Sequence, residues 1–192
     1  MKRISIVVPV YNGVEFLEPF FRIFYQGLNF KDIEVIIVDN GSPEQFYVAM
    51  QEEAEKFNFI SVHRYEKEKS SYAARNFGFK QSVGEIIAFT DFDCVLTPQY
   101  IQELNEFPSD EKDLVSGKIE LFHVKNNIYE IFDRNAYLKQ EEYFNNKYAA
   151  TANLILCRET FLKLTGFKTL TSGGDNEFCK RAVASGFDIK YN

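Results

Sequence analysis

Cysteine, histidine and positive charge are all scarce in this chain, and each scarcity removes a class of function. The three cysteines, Cys94, Cys157 and Cys179, form an odd set without CxxC spacing. Neither a disulfide framework nor a zinc site is indicated, and the thiols read as reduced. The two histidines, His63 and His123, are too isolated for a histidine metal site. Lysine and arginine number 22 against 28 aspartates and glutamates, a formal net charge of −6. No broad basic surface follows, which argues against nonspecific nucleic-acid binding and polybasic attachment to anionic lipid, and an anionic ligand would need a local cationic site. No apolar run approaches the roughly 20 residues of a membrane span. Met1-Lys2-Arg3 leads into a strand-like segment rather than a cleavable signal, so a cytoplasmic chain without a transmembrane segment is expected. No linker-like stretch interrupts the 192 residues, of which 45% are hydrophobic, and residues 1–192 read as a single domain.

What is present is alternation. β-branched runs alternate with amphipathic stretches, the pattern of right-handed βαβ crossovers and a largely parallel sheet covered on both faces. The 20 Phe and 11 Tyr are spread through these segments and read mostly as core. Ile4–Val8 is the first expected strand, ended by Pro9, and Val14–Gly27 the first helix. Val35–Val38 follows, then a helix with Ser42 as N-cap and Pro43 as first residue, running to about Phe57. A short strand at Ile60–Val62 precedes a helix over Tyr72–Ser82 and the strand Glu85–Thr90. Thr97 and Pro98 cap and open a helix through Leu104. Later expectations are strands at Leu114–Phe122, Ala152–Cys157 and Phe187–Tyr191, with helices at Ile128–Phe144, Glu159–Leu164 and Asn176–Ser185. Gly166 suits a left-handed helix end.

Asp91 and Asp93, one residue apart beyond the apolar run that ends at Thr90, stand out chemically. In open α/β sheets ligands collect beyond the carboxyl ends of buried parallel strands. Two acids there repel unless something positive joins them, and Mg²⁺ or Mn²⁺ suits oxygen ligands while leaving positions for substrate phosphates. If strands one, two and four are adjacent and parallel, Pro9-Val10-Tyr11-Asn12, Asp39 and Asp91-Phe92-Asp93 share one rim. Tyr11 would offer a face to a base, Asp39 would accept from a base NH or ribose hydroxyl, and Arg75 near a helix start would meet phosphate. Each also has an ordinary structural use: Tyr11 covering the sheet, Asp39 in an Asx turn, Arg75 on a solvated helix face. Cys94, beside the acids, reads as a small half-buried residue.

The segments Ile6-Val7-Val8-Pro9-Val10-Tyr11-Asn12, Val38-Asp39-Asn40-Gly41-Ser42, Ala74-Arg75-Asn76-Phe77-Gly78, Asp91-Phe92-Asp93, Ala152-Asn153-Leu154-Ile155-Leu156 and Gly173-Gly174-Asp175-Asn176-Glu177-Phe178-Cys179-Lys180-Arg181 together resemble glycosyltransferase family 2. The resemblance covers nearly the whole chain. It implies the GT-A nucleotide-diphospho-sugar transferase fold, Rossmann-like with a mostly parallel central sheet. It also implies a metal-dependent hexosyltransferase-type enzyme that inverts configuration, taking a sugar from a nucleotide-diphosphate donor, most often a UDP-sugar, to a carbohydrate or lipid-linked acceptor hydroxyl. By the same resemblance Asp39 would bind uracil or ribose, Arg75 would lie near base or diphosphate, Asp91 on the ribose side, and Asp93 on the metal.

An inverting displacement needs a base opposite the leaving group, and Asp175 is the candidate, with Glu177 as an alternative. The family commonly has a Glu before this Asp; here Gly174 stands in its place. Capping of the helix start is the structural alternative for Asp175. Asn153, Gly173 and Gly174 are placed on the donor-sugar or acceptor side, or in turns, and Arg181 is read as structural. Family members usually continue further, often with a histidine that completes the metal site, so a C-terminally truncated catalytic domain is one expectation. The resemblance suggests cell-surface polysaccharide or lipopolysaccharide synthesis, at the inner face of the membrane if the chain associates peripherally. The competing reading is a catalytically silent nucleotide-sugar-binding module.

Overall fold

The computed structural model describes residues 3–120 and 147–192. Its elements run β1 (Ile4–Val10), α1 (Leu17–Phe21), β2 (Ile33–Asp39), α2 (Glu44–Ala54), β3 (Ile60–Arg64), α3 (Ser71–Gln81), β4 (Ile86–Thr90), α4 (Pro98–Glu106), β5 (Leu114–Ser116), β6 (Asn153–Cys157), α5 (Arg158–Lys163), α6 (Gly174–Ala184) and β7 (Ile189–Tyr191). Among the described residues the strands form one sheet in the order β3-β2-β1-β4-β6-β5-β7. Only β6 opposes the others, pairing antiparallel with β4 and with β5. The expected adjacency of strands one, two and four is present, with β2 and β4 flanking β1 in parallel register.

Successive strand residues point to opposite faces, and both faces are buried, which is why these strands read as continuous apolar runs. Ile4, Ile6, Val8, Ile33, Val35, Ile37, Ile86 and Ala88 face a core closed by Phe20, Phe21, Phe24, Phe46 and Leu104 from α1, α2, α4 and the turn after α1. Val7, Ile87, Phe89, Leu154 and Leu156 face the other, closed by Phe79 of α3, Phe161 of α5 and Phe178 of α6. Removing one such fully buried ring costs about 3–5 kcal/mol. The helices therefore lie on both faces, as expected.

Four details differ from the sequence reading. Pro9 does not end β1, which pairs with β2 through Val10↔Asp39. The Val10 carbonyl accepts from Asn40 N–H on the β2 side, so the Pro9 nitrogen faces β4, whose pairing with β1 ends at Val7↔Phe89. No ladder donor is needed there. The stretch Val14–Gly27 is not one helix: 3-10 turns at Val14–Phe16 and Arg22–Gln26 flank the short α1. Pro19 supplies no N–H, and neighbouring Phe20 and Phe21 are both buried, edge to face at 5.6 Å, which a single helical stripe does not provide. Ser42 does not cap α2; Pro43 is its N-cap, because Ser42 N–H is given to Asp39 and Ser42 Oγ accepts from Asn12 N–H. The strand expected to reach Phe122 stops at Ser116. The helix expected over Ile128–Phe144 lies outside the described residues. Thr97 does cap α4 as expected, accepting from Tyr100 N–H at 3.1 Å.

Candidate functional site

The carboxyl ends of β1 and β4 and the start of α3 enclose a cleft of about 270 Å³. It is lined by Pro9, Val10, Tyr11, Asn12, Gly13 and Phe16, by Asn40 and Ser71, and by Arg75, Asp91, Phe92 and Asp93. The loop after β1 is held open by Asn12, which adopts a left-handed φ of 52°, a conformation asparagine tolerates. Its N–H donates to Ser42 Oγ at 3.0 Å. Tyr11 lines the cleft and is 57% exposed. Asn40 is committed elsewhere: its amide donates to the Tyr65 and Glu68 carbonyls and accepts from Ser70 N–H, which pins the loop before α3 against β2.

Between the two aspartates, Phe92 turns inward and stacks on Phe20 at 4.7 Å. A Cβ on Gly13 would lie 3.0 Å from its ring, so glycine there lets the loop close over it. Phe92 thus anchors the acidic turn and floors the cleft. The repulsion between Asp91 and Asp93 has an internal answer that the sequence did not show: Arg75, only 3% exposed, forms an ion pair with Asp91. A buried guanidinium needs such a partner. Arg75 Nε is left buried without a hydrogen-bond partner, and the guanidinium carbon sits 5.6 Å over the Tyr72 ring. Asp93 stays solvent-reaching and unpaired with any cation among the described residues. The protein wall around it, and then the Asp91 charge, push its pKa upward. Cys94 is pushed up to about 11 by burial, so it remains a thiol.

Asp39 stands in the Asx turn that was its structural reading. It is fully buried, does not line the cleft, and accepts from Ser42 N–H at 3.1 Å and Arg64 Nε at 3.0 Å. Register makes this pair, since Asp39 and Arg64 are cross-strand neighbours on β2 and β3. Its carboxylate holds the turn into α2.

Asp175 lies in the first turn of α6 but is not its cap, which is Gly173 at φ 72°. Its carboxylate accepts from Tyr148 Oη at 2.7 Å, from Tyr72 Oη at 3.4 Å and from Asn176 N–H at 3.0 Å. Through Tyr72, which lies three residues before Arg75 on α3, it stands one aromatic ring away from the cleft wall. Glu177 is in another state. Hydrogen bonding to Arg181, with further help from Lys168, lowers its pKa to about 2, which leaves it a poor base. Arg181 also donates to the Leu164 and Gly166 carbonyls and is structural, as the sequence suggested.

Asn153 donates to the Lys118 carbonyl at 3.2 Å, and its Oδ1 is buried without a partner. Neither it nor Gly173 or Gly174 lines the cleft. Gly173 serves its left-handed φ, and Gly174 serves the Tyr72 ring, which a Cβ would meet at 2.6 Å. Sequence reasoning missed Tyr72 and Tyr148. Tyr72 was findable, because residues three apart on a helix share a face and Arg75 was already marked; Tyr148 carried no signal.

A divalent metal suits this wall in one respect only. Asp93 offers a free carboxylate oxygen, a ligand type that hard cations prefer, whereas Asp91 is engaged by Arg75. Among the described residues no group of three or more acidic, histidine or cysteine side chains could hold an ion. Among the described residues, a cation at this wall would find its protein ligand in Asp93.

Comparison with known proteins identifies the family. The model of glycosyl transferase family 2 matches residues 5–165. The glycosyltransferase AglE of Haloferax volcanii is 28% identical over 98% of this chain and 64% of its own length. Solved structures with the same fold include the mannosyltransferase PcManGT from Pyrobaculum calidifontis in complex with GDP-Man and Mn²⁺ (TM-score 0.74, 18% identity, covering 99% of this chain and 54% of that one). Staphylococcus aureus TarS 1-349 in complex with UDP-GlcNAc is another (TM-score 0.76, 19% identity, 99% and 56%). The chain thus spans between about half and two thirds of the length of these proteins. The fold is the GT-A type of mixed α/β sheet. With its strand-end cleft, acidic turn and family match on one stretch of sequence, this chain belongs to glycosyl transferase family 2.

Proposed function

We propose that this chain carries the donor-binding and catalytic face of an inverting glycosyltransferase that moves a sugar from a nucleotide-diphosphate donor, in the first instance a UDP-sugar, to an acceptor hydroxyl. The observation that carries this reading is the division of labour among the carboxylates. Among the described residues, Asp91 is fixed by Arg75 at the cleft wall, Asp93 has no cationic partner, and Asp175, one ring beyond, is held only by uncharged groups. In this reading Tyr11 meets the base, Asp91 the ribose side and Asp93 the diphosphate end. A cation held there between Asp93 and the donor's phosphates would offset the charge that grows on the departing diphosphate. Asp175 takes the proton of the acceptor hydroxyl as its oxygen bonds to the anomeric carbon and the carbon–oxygen bond to the diphosphate breaks. Asp39 contributes by shaping the turn that backs the cleft, and Glu177 is set aside as base by its ion pairs.

Support for a nucleotide-sugar donor comes from the structural neighbours, whose complexes hold GDP-Man with Mn²⁺ and UDP-GlcNAc. The acceptor is assigned to cell-surface glycan synthesis by family resemblance, at the cytoplasmic side. No helix among the described residues is long and apolar enough to cross a membrane. The test is a thermal-shift panel of UDP, GDP, CMP and TDP with and without Mn²⁺. A metal-dependent rise for one nucleotide supports the reading and names the donor class; no rise with any of them contradicts it.

A further inference from the structure

Two observations meet at Asp175. The first is the count of donors on its carboxylate. Among the described residues, Oδ1 accepts from Asn176 N–H and, at a long 3.4 Å, from Tyr72 Oη, whereas Oδ2 accepts from Tyr148 Oη alone. A carboxylate has about four acceptor sites, two on each oxygen, so Oδ2 retains one. The second is the absence of a side chain at position 174. Gly174 is the first residue of α6 and is not in the left-handed region, so its conformation does not require glycine. A Cβ would lie 2.6, 2.7 and 2.8 Å from three atoms of the Tyr72 ring. The missing side chain is the space through which Tyr72 reaches the carboxylate.

We infer, resting on the assignment of Asp175 as base, that Tyr72 and Tyr148 are positioning residues. They lock the Asp175 carboxylate and leave the free site on Oδ2 for the acceptor's proton, and Gly174 is glycine to admit Tyr72. Both donors are neutral phenols, so they fix the carboxylate's direction without supplying a counter-charge. Burial, and then the Asp175 charge, push the Tyr72 phenol's pKa up, which keeps it protonated as a donor. Tyr72 also lies beneath the Arg75 guanidinium, so the same ring ties the base to the wall that carries Asp91.

The experiment compares the full chain with Tyr72→Phe, Tyr148→Phe, the double variant and Gly174→Ala. Turnover is followed as release of nucleoside diphosphate from GDP-mannose and from UDP-N-acetylglucosamine with Mn²⁺. Phenylalanine keeps the rings, so the fold is retained. Loss of alignment should lower kcat by about tenfold to a hundredfold in the double variant with KM for the donor unchanged. Gly174→Ala should reproduce the Tyr72→Phe loss, because both remove one interaction. In crystals of the double variant the Asp175 carboxylate should leave its present rotamer. An unmoved carboxylate overturns the inference whether or not turnover is measurable, as does full kcat in the double variant. Asp175→Asn separates the two layers. If it leaves turnover intact, the base assignment fails; if it abolishes turnover while the tyrosine variants keep full kcat, only the positioning inference fails.

Discussion

The carboxylates at the strand ends and those at the start of α6 are held in contrasting ways. At the ends of β2 and β4, Asp39 and Asp91 each meet a guanidinium, from Arg64 and Arg75. At the start of α6, Asp175 meets two phenols and a backbone N–H. A guanidinium supplies a counter-charge to the carboxylate it holds, whereas neutral donors orient a carboxylate through hydrogen bonds alone. Glu177, two residues from Asp175, shows the contrast locally: Arg181 and Lys168 engage it and drive its pKa to about 2. Among the described residues, Asp39, Asp91 and Glu177 are therefore ion-paired, whereas Asp175 is hydrogen-bonded by neutral donors.

The contrast is broken most severely at Asp175. Asp175→Asn should lower turnover by about 10²- to 10⁴-fold, the usual contribution of a general base, while nucleotide affinity stays within about twofold. An equal fall in affinity, measured by calorimetry, would show that Asp175 belongs with the binding acids. Next in size is Arg75→Met, which removes the cation from the cleft wall. Breaking a buried pair costs about 3–5 kcal/mol, but Asp91 is 33% exposed and water recovers part of this, so urea denaturation should show a loss of about 2 kcal/mol.

A pH series sharpens the local contrast at Glu177. Its folded pKa lies below the ordinary value of 4.5, so its stabilising effect is complete above that value and is lost as pH falls towards about 2. Because solvent screens the pair, the loss should be about 1 kcal/mol, and Glu177→Gln should flatten that part of the stability profile. The smallest effect is expected at Asp93. Its raised pKa marks a charge that the folded chain disfavours, so Asp93→Asn should leave the nucleotide-free protein within about 0.5 kcal/mol of the parent, or slightly more stable, by the same denaturation measurement.

Much of this was readable beforehand, for reasons that particular residues show. The apolar runs give β1, β2 and β4 away as strands because burial on both faces leaves no polar alternation to disguise them, and Thr97-Pro98 announces α4 by capping chemistry that acts within one turn. What failed was local chemistry overruled from a distance. Ser42 looks like a helix cap, but its hydroxyl oxygen accepts from Asn12 N–H, a contact across 30 residues that requires the folded rim, while its own N–H donates locally to Asp39. The ion pairs Asp39–Arg64 and Asp91–Arg75 depend on strand register and on how α3 packs over the sheet, neither of which spacing encodes. The repulsion between Asp91 and Asp93 suggested a divalent metal, whereas the cation that the structure places against Asp91 is Arg75. Tyr148 joins Asp175 from 27 residues away, with no periodic pattern to mark it.

The central claim is that Asp93 is the free acid of the donor cleft and completes a cation site only when a donor's diphosphate is present. Calorimetry tests it directly, with Mn²⁺ titrated into the chain alone, into the chain with the nucleoside diphosphate that raises its melting temperature, and into Asp93→Asn with the same nucleotide. The account predicts feeble binding to the chain alone, clear binding with nucleotide, and loss of that binding in Asp93→Asn. Tight Mn²⁺ binding to the nucleotide-free chain, or undiminished nucleotide-dependent binding in Asp93→Asn, would contradict it.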